Sequence, residues 1–285
     1  MSISVVILTF DSEETISATL ESAKRVSDDI HVVDSFSSDK TVGIVREYGA
    51  RLVQHTFENY GAQRNWAIDN LPLRYDWELH LDADERLSDE LIIQLNSLKE
   101  AFPHNISGYY IPRLPRFLGR AIRHGGMFPI WHLRLFRHGR GRCEDRPYDQ
   151  HFFVNGATAN LSGAMVDDMR MTLAEWVSRH NRWSDAQVRE LLGDEVGGRG
   201  GRVRSNWRGD PVQRKRFLRR LYNGMPLFFR PFLLFIYRYF LRFGFLDGRE
   251  GLIFFVLQTF WFHFMIDAKL FEGHQAAAKV QEWPN

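Results

Sequence analysis

The apolar and polar positions of the first hundred residues alternate in blocks that predict strands separated by helices. Short apolar runs bounded by polar residues indicate four buried strands, at Ile3–Thr9, Ile30–Asp34, 51–55 and 77–81. Helical patterns preceded by capping residues cover residues 12–24, 37–48, 62–70 and 89–101. Strands that alternate with helices predict parallel βαβ units, so we expect an α/β fold with a mostly parallel, Rossmann-like sheet flanked by helices.

The pattern is less regular after residue 108. Short strands are predicted at 109–113, 131–137, Phe152–Val154 and 160–166, and a helix is predicted at 171–192. Residues 193–209 are rich in Gly and Arg and indicate a linker. We therefore expect a catalytic domain over residues 1–170, a helix with a basic linker over 171–225, and apolar helices over 226–285.

Composition narrows the class of protein. The chain has 37 Lys and Arg against 35 Asp and Glu, and 44% of its residues are hydrophobic, which excludes a polycation and a wholly disordered chain. Its single cysteine, Cys143, excludes an internal disulfide and a four-cysteine zinc site. The first nine residues carry no basic group, so we expect no signal peptide and a cytoplasmic start.

Basic charge and aromatic residues are concentrated in the last third of the chain. Thirteen of residues 199–249 are Arg or Lys and two are Asp, and the apolar stretches 226–245 and 252–266 follow or overlap them. The first stretch is interrupted by Arg230, Arg238 and Arg242, and the second has only 15 residues, whereas a spanning helix needs roughly 20 apolar residues. Arginine among aromatics suits the headgroup region, so we expect interfacial or re-entrant helices on the cytoplasmic face of a membrane. The alternatives are core helices or a homo-oligomer interface; nucleic acid is not the expected partner.

Two aspartates directly follow the fourth predicted strand. Asp82 and Asp84 are two residues apart, so in an extended segment both side chains point to the same side. Carboxylate oxygens are the ligands that Mg²⁺ and Mn²⁺ prefer, and such an ion can neutralise a diphosphate leaving group. The alternative is a solvated turn after a strand.

Further polar candidates lie at or after the other strands. Asp34 is placed to accept a hydrogen bond from a nucleobase, and Asp39 to bind ribose hydroxyls. The alternative for both is a polar turn with a helix cap. Arg64 is a candidate for binding phosphate or bracing the acidic site, or else the exposed start of a helix.

Residues 144–151 place acidic, amide and imidazole groups in one short segment. Inverting glycosyl transfer needs a carboxylate that takes the proton of the acceptor hydroxyl, and Asp149 is the first candidate, with Glu144 or Asp145 in reserve. The alternative is a loop whose acids pair with Arg146. The segments 124–126 and 131–134 are candidates for a sugar or acceptor pocket. The spacing of the histidines fits no zinc site.

Taken together, the ordered motifs resemble the family 2 glycosyltransferases of GT-A fold, in particular cell-envelope enzymes such as the lipopolysaccharide-core β-glucosyltransferases. The matching segments span residues 2–155 and read VVILTFDSEETI, VVDSFSSDKTV, YGAQRN, LHLDADERLSDEL and WHLRLFRHGRGR. Two departures stand out: Asp11 replaces an asparagine of the family, and Asp149-Gln150 replaces a His-Glu pair.

The resemblance implies a site and a reaction. It implies a nucleotide-sugar donor bound by residues Thr9, Glu13, Asp34, Asp39, Arg64 and Asp82. It also implies Mg²⁺ or Mn²⁺ at Asp82 and Asp84, and an inverting displacement with Asp149 as base. The expected reaction moves a sugar from a nucleoside diphosphate, UDP first, to a cell-envelope glycan or lipid-linked acceptor.

Two other functional classes are alternatives to this reaction. A sugar-nucleotide nucleotidyltransferase typically has a glycine-rich basic loop after its first strand, whereas residues 9–13 here are acidic and lack glycine. A non-catalytic membrane-anchored scaffold has no need of both Asp82 and Asp84.

Overall fold

The computed structural model of the protein describes residues 2–144, 150–196, 207–208 and 211–281. The chain divides into two compact units. The first comprises Met1–Ile122 and Met127–Arg170, and the second comprises Arg123–Gly126 and Met171–Asn285. The division predicted at residues 225 and 226, between a basic linker and the apolar helices, stays a prediction.

The first unit contains a ten-stranded sheet and a two-stranded hairpin. Its strands are β1 Ile3–Thr9, β2 Ile30–Asp34, β3 Arg51–Gln54, β4 Trp77–Asp82, β5 Glu85–Leu87, β6 Ile106–Phe117, β7 Arg120–Ala121, β8 Ile130–Arg137, β9 Gly141–Cys143, β10 Phe152–Val154, β11 Ala157–Asn160 and β12 Met165–Asp168. The order in the large sheet is β3-β2-β1-β4-β8-β6-β12-β5, with β7 and β11 paired to β6, and β9 pairs with β10.

The sheet is parallel through its first half and mixed beyond. Strands β3, β2, β1 and β4 run parallel, β8 runs antiparallel to β4 and β6, and β12 runs parallel to β6. The helices of this unit are α1 Ile16–Lys24, α2 Thr41–Glu47, α3 Tyr60–Asn70 and α4 Asp89–Glu100. The predicted α/β fold class is therefore confirmed.

Strand β1 is buried on both faces, which explains its uninterrupted apolar sequence. Alternate residues of a strand point to opposite faces. Ile3, Val5 and Ile7 belong to a cluster that also contains Leu20 of α1 and Leu91 of α4. Val6 and Leu8 pack on the other face with Ala67 and Leu71, at and just after the end of α3. The helices thus cover the sheet and leave its carboxyl edge to the loops.

Several element boundaries differ from the sequence prediction for local reasons. Helix α1 begins at Ile16, since the backbone N–H groups of Thr15 and Ile16 both donate to the Ser12 carbonyl in a preceding turn. Ser88 caps α4 as predicted, and its hydroxyl accepts from the N–H of Leu91 at 3.2 Å. The strand predicted at 160–166 is split into β11 and β12, where Gly163 approaches the backbone of Leu91.

The second unit is helical. Its elements are α5 Leu173–Val196, α6 Pro211–Asn223, α7 Phe229–Ile236, a π-helical turn Tyr237–Leu241, a 3₁₀ turn Gly244–Asp247, α8 Gly248–Phe255, a π-helical turn Val256–Trp261 and α9 Phe262–Gln281. Val188 of α5 packs with Phe262, Ile266 and Leu270 of α9. Helix α5 runs four residues into the predicted linker, most of which lies outside the described residues.

The second predicted apolar stretch lies inside a longer helix. Gly244–Gln275 is continuous over 32 residues and is long and apolar enough to cross a membrane, although 39% of its most apolar window is buried within the chain. Its Asp267 is buried and accepts from Arg230 Nε at 2.8 Å. The helix therefore has one packed side, which length and composition alone do not reveal.

Candidate active site

Three neighbouring parallel strands end side by side at one edge of the sheet. Thr9, the last residue of β1, pairs in register with Asp34 of β2, and Leu8 pairs with Asp82 of β4. Neighbouring strands lie about 4.8 Å apart, so these ends form a compact row. The loops after parallel strands carry ligand sites in α/β proteins. The site residues predicted at strand ends are thus brought to a common edge.

Hydrogen bonds tie the loop after β1 to the loop after β2. The N–H of Glu13 donates to Asp39 Oδ2 at 3.0 Å, and the N–H of Lys40 donates back to Glu13 Oε2 at 3.0 Å. The N–H of Ser38 donates to Asp11 Oδ1 at 2.8 Å. Three of the acids at this edge therefore hold the two loops together.

The charge of Asp39 is stabilised by this arrangement. Burial raises the pKa of its carboxyl group, but hydrogen bonds from Thr41 and from the N–H of Glu13 outweigh burial and hold that pKa below its usual value. Asp39 is therefore anionic at neutral pH, with both oxygens bonded to the chain itself.

Asp34 lies beneath the second loop and is fully buried. Its Oδ2 accepts from the N–H of Ser37 at 3.0 Å and from Gln54 Nε2 at 2.9 Å, and its Oδ1 accepts from the Ser37 hydroxyl. The neighbouring Thr9 is 5% exposed, and its hydroxyl has no hydrogen-bond partner within the described part of the chain. An unpartnered buried hydroxyl is costly, so it marks a position where a ligand atom can complete the bonding.

Asp82 is held by two arginines from different elements. Arg64 Nη2 of α3 lies 2.8 Å from Asp82 Oδ1, and Arg134 Nη2 of β8 lies 2.9 Å from Asp82 Oδ2. The same Arg134 nitrogen donates to Glu85 Oε1 at 2.8 Å, and the N–H of Asp82 donates to Glu85 Oε2 at 3.0 Å. Asp82 is thus paired with both arginines, and Glu85 shares Arg134 with it.

The two arginines and the burial of the cluster set the pKa values of its two acids. Burial opposes ionisation of Asp82, but the charges of Arg134 and Arg64 outweigh it and hold the pKa of Asp82 far below its usual value. Burial raises the pKa of Glu85, although Arg134 opposes the effect. Asp82 is consequently anionic at neutral pH.

The side chains at this edge decide where a divalent ion could bind. No group of three or more His, Cys, Asp or Glu that could hold a metal occurs among the described residues. Asp82 is already matched by two guanidinium groups, which repel a dication. Asp84 is half-buried and lies two residues further along. Since Mg²⁺ is often held by one or two carboxylates with substrate phosphates and water, Asp84 fits such an ion without a protein cage.

The predicted base lies between β9 and β10 in the sequence, in a segment outside the described residues. Asp149, together with Asp145, falls in the segment 145–149, which the structure does not describe. Glu144 precedes it, is 2% exposed and accepts from the N–H of His151 at 3.1 Å. Asn65 of α3 fixes this hairpin, because its side chain bonds the backbone N–H and the carbonyl of Cys143, each at 2.9 Å.

Sequence reasoning missed some members of the site. Arg134 was a candidate for a sugar pocket, but its bonds to Asp82 and Glu85 join residues 52 and 49 positions apart. Gln54, which bonds Asp34, lies at the end of a partly exposed edge strand and carried no signal. The segment 124–126, also a pocket candidate, belongs to the second unit, where His124 Nδ1 lies 2.6 Å from Asp247 Oδ1.

Comparisons with known proteins match this part of the chain. The glycosyl transferase family 2 model covers residues 4–153. An uncharacterized glycosyltransferase of Rickettsia bellii is 39% identical over 89 residues, which are 31% of this chain and 30% of that protein. A second one, of Rickettsia conorii, is 38% identical over 89 residues, 31% of each. The chain thus matches less than a third of the length of these relatives.

Two solved structures show weak similarity. TarS of S. aureus has 20% sequence identity and a TM-score of 0.36, covering 48% of this chain and 28% of that one. Glucosyl-3-phosphoglycerate synthase of Mycobacterium tuberculosis, in complex with Mn²⁺ and UDP-glucose, has 21% identity and a TM-score of 0.32, covering 40% and 44%. These values are too low for the ligands of those structures to bear on this chain. The family model, by contrast, covers more than half of the chain and includes the whole sheet edge described above, so the chain belongs to glycosyl transferase family 2.

Proposed function

We propose that the protein is an inverting glycosyltransferase that moves a sugar from a nucleoside diphosphate, UDP first, to a hydroxyl of a cell-envelope glycan or a lipid-linked acceptor. One observation carries the proposal. Within the segment matched by the family, Thr9, Asp34 and Asp82 end three adjacent parallel strands at the edge where α/β folds bind their ligands.

The donor would lie across the ends of β1 and β4. The unpartnered hydroxyl of Thr9 is available to a donor oxygen, and Arg64, held by Asp82, offers positive charge to a diphosphate. Glu13 and Asp39 bind the two loops to each other and so shape the space for the nucleotide. Direct contacts of Glu13, Asp34, Asp39 and Asp82 with the donor stay predictions.

Asp84 is the residue of this edge that we assign to Mg²⁺ or Mn²⁺, and Asp82 stays a predicted second ligand. A bound divalent ion would supply charge stabilisation to the departing diphosphate. Arg64 and Arg134 remain in place as fixed cations beside Asp82. Because they are preorganised by ion pairs, they need no rearrangement when negative charge develops on the leaving group.

The transfer step needs a base for the acceptor. The acceptor oxygen attacks the anomeric carbon as the bond from that carbon to the diphosphate oxygen breaks, and the hydroxyl proton passes to a carboxylate. Attack opposite to the leaving group inverts the anomeric centre. We assign this carboxylate to Asp149. Glu144 suits the role less, since it is almost fully buried and already accepts a hydrogen bond from His151.

We further propose that the second unit binds a membrane surface from the cytoplasmic side, where a lipid-linked acceptor is found. Large apolar side chains that are at least 40% exposed are frequent there: Phe217, Leu218, Leu221, Phe229, Phe232, Tyr237, Phe240, Leu241, Phe243, Phe245 and Leu246. Exposed arginines accompany them at Arg214, Arg220 and Arg242. Exposed aromatic and aliphatic side chains beside arginine match the chemistry of an anionic bilayer surface.

The test is UDP release by the purified full chain. UDP-glucose, UDP-galactose and UDP-N-acetylglucosamine are each incubated with Mn²⁺ or Mg²⁺, with and without a lipid extract of bacterial envelopes. We expect one donor to yield UDP in a metal-dependent and extract-dependent way, and Asp149→Asn to lose that activity while it still binds UDP. Pyrophosphate formation from UTP and a sugar 1-phosphate would instead indicate a nucleotidyltransferase. Absence of both turnover and nucleotide binding would favour a scaffold and overturn the proposal.

A further inference from the structure

Three helices of the second unit bring a group of polar side chains together. The ring of Tyr222, in α6, lies 5.3 Å from the ring of His263, in α9, in an edge-to-face arrangement. The guanidinium carbon of Arg230, in α7, lies 5.2 Å from the centre of the Tyr222 ring. The helices α6, α7 and α9 thus meet around one phenol.

This group carries more positive than negative charge. Burial lowers the pKa of His263, and the charges of three arginines lower it further, to about 3. The carboxylate of Asp267 is buried, and Arg230 Nε donates to its Oδ1 at 2.8 Å. We define the Tyr222 cluster as Arg219, Tyr222, Arg230, Arg238, His263 and Asp267. It combines three guanidinium groups with one carboxylate, and its histidine is neutral at neutral pH.

The hydroxyl of Tyr222 is buried within this cluster. Among the residues that the structure describes, it has no hydrogen-bond partner. A buried hydroxyl without a partner is costly, so this one marks a position where a ligand atom can complete the bonding. Because the surrounding charge is positive on balance, the ligand that fits is an anion that accepts hydrogen bonds. Guanidinium groups beside a hydroxyl donor suit the oxygens of a phosphate.

An apolar groove lies next to the Tyr222 cluster. The groove has a volume of about 150 Å³ and is lined by Phe232, Phe235, Val256 and Phe260. Arg238 follows Phe235 by three residues, and His263 follows Phe260 by three. Residues three apart are neighbours on the surface of a helix, so polar members of the cluster adjoin two walls of the groove. A cavity of this size takes up a group about as large as a benzene ring.

We propose that the Tyr222 cluster and this groove form a binding site for one phosphate-bearing membrane lipid, with its phosphate at Tyr222, Arg219 and Arg238 and part of an acyl chain in the groove. This inference rests on the proposed membrane-binding role of the second unit and deepens it, since it assigns one lipid molecule to a defined site. The charge of the cluster selects an anion, and the apolar walls select an amphiphile. Basic pockets between helices bind lipid phosphates in this way.

Isothermal titration of the full chain in dodecyl maltoside tests the site with three probes. Dioctanoyl phosphatidic acid has both the phosphate and the chains, glycerol 3-phosphate has no chains, and dioctanoylglycerol has no phosphate. We expect saturable binding of dioctanoyl phosphatidic acid at an affinity at least tenfold higher than that of either fragment. Equal affinity for glycerol 3-phosphate would indicate a site for soluble phosphate and overturn the lipid. Equal affinity for dioctanoylglycerol would overturn the role of the arginines.

Two variants separate the phosphate part from the chain part. Tyr222→Phe removes only the hydroxyl and should weaken the binding of dioctanoyl phosphatidic acid by about tenfold. Its midpoint of thermal unfolding should stay the same or rise, because the hydroxyl has no partner in the described part of the chain. Val256→Trp fills the groove, so it should weaken binding of this lipid and leave the affinity for glycerol 3-phosphate at the wild-type value.

A matched pair of arginine variants tests whether the position of the charge matters. Arg238→Gln should lose at least tenfold in affinity for dioctanoyl phosphatidic acid. Arg182→Gln removes the same charge from an exposed position of α5, where Arg182 Nη1 bonds the Ser178 hydroxyl at 3.0 Å, and should leave that affinity unchanged. Equal losses in the two variants would indicate unspecific attraction and overturn the site.

The outcomes also separate this site from the proposed function. Wild-type lipid affinity in both Tyr222→Phe and Arg238→Gln would overturn the site, while binding of the chain to phosphatidylglycerol-containing vesicles would leave the membrane role in place. A wild-type chain that binds neither the vesicles nor dioctanoyl phosphatidic acid would overturn both. Transferase activity is measured independently of either result by the release of UDP.

Discussion

Arg134 and Asp82 are 52 residues apart in the sequence, yet Arg134 Nη2 lies 2.9 Å from Asp82 Oδ2 at the carboxyl edge of the sheet. The arginine side chain is 3% exposed and also bonds the buried Glu85. This contact makes β8, an antiparallel strand, part of an edge otherwise built by parallel strands. It follows that the acid predicted to bind a metal is first of all the partner of two arginines.

Replacing Arg134 should destabilise the protein strongly. Arg134→Met keeps much of the volume but leaves Glu85 buried without its cation, so we expect a loss of about 3 kcal/mol in the free energy of unfolding. Urea unfolding measures this change. The matched control is Arg142→Met. It breaks the ion pair between Arg142 and Asp69, in which both side chains are about half exposed. That variant should lose less than about 1 kcal/mol. Equal losses would contradict a special role for the buried cluster.

Asp84→Asn should abolish the metal dependence of nucleotide binding. The carboxylate is half-buried at the edge of the sheet, and the amide has the same shape without the charge that attracts a dication. UDP titrations with and without Mn²⁺ measure the effect, which we expect to fall from at least tenfold to none. Asp89→Asn, at an exposed acid paired with Arg25, serves as control. An unchanged metal effect in Asp84→Asn would remove this residue from the metal site.

Alanine substitutions at Gly61 and Gly43 should have opposite effects on the stability of the protein. A Cβ at Gly61 in α3 would lie 2.3 Å from the carbonyl oxygen of Glu144, whereas a Cβ at Gly43 in α2 has no atom within 4 Å. Gly61→Ala should therefore cost about 1–3 kcal/mol and lower transferase activity, because α3 also carries Arg64. Gly43→Ala should stabilise the helix by about 0.5–1 kcal/mol. Thermal unfolding distinguishes the two, and a stabilised Gly61→Ala would contradict the close approach.

The stability of the second unit should fall in mild acid. His180 of α5 is buried and its Nδ1 bonds the carbonyl of Trp176 at 2.8 Å. Burial lowers the pKa of His180 to about 4, from 6.5 in an exposed histidine. Below pH 6.5 the unfolded chain takes up a proton that the folded chain refuses until about pH 4. The contribution of His180 is thus complete above pH 6.5 and is lost as the pH falls toward 4.

The expected size of this effect at pH 5 is about 2 kcal/mol relative to pH 7. Urea unfolding at the two pH values, followed by the fluorescence of the tryptophans in α5, measures it. His180→Gln keeps a hydrogen-bonding side chain but cannot titrate, so its dependence between pH 7 and 5 should be weaker by that amount. An identical pH dependence in wild type and variant would show that His180 is not the responsible group.

Membrane binding should depend on exposed phenylalanines of α7. Phe229 and Phe232 are 56% and 49% exposed. Replacing both by serine should weaken binding to phosphatidylglycerol-containing vesicles by about tenfold or more, since burying a phenylalanine side chain is worth about 1.5–3 kcal/mol. Vesicle sedimentation measures this. Ile93→Ser, at a 65% exposed position of α4, is the control. Unchanged vesicle binding with altered sedimentation equilibrium would instead indicate an interface between copies of the chain.

The sequence alone determined the alternation of strands and helices in the first hundred residues and the edge of the sheet. Apolar runs such as Ile3–Thr9 form strands because both of their faces are buried, and polar residues stop those runs at the sheet edge, so Thr9, Asp34 and Asp82 were found at strand ends from the pattern itself. Ser88, a capping residue before a helical pattern, likewise predicted the start of α4. These are local properties, set by neighbours within a few positions.

Only the tertiary structure decided which side chains meet. The pairing of Asp82 with Arg64 and Arg134 and the burial of Asp34 beneath Ser37 and Gln54 depend on contacts between separate elements. The sequence around a carboxylate does not show whether its side chain will face a ligand or a guanidinium group. Its role is fixed by the charges that folding brings within about 3 Å of it, because burial makes an unmatched charge prohibitively costly.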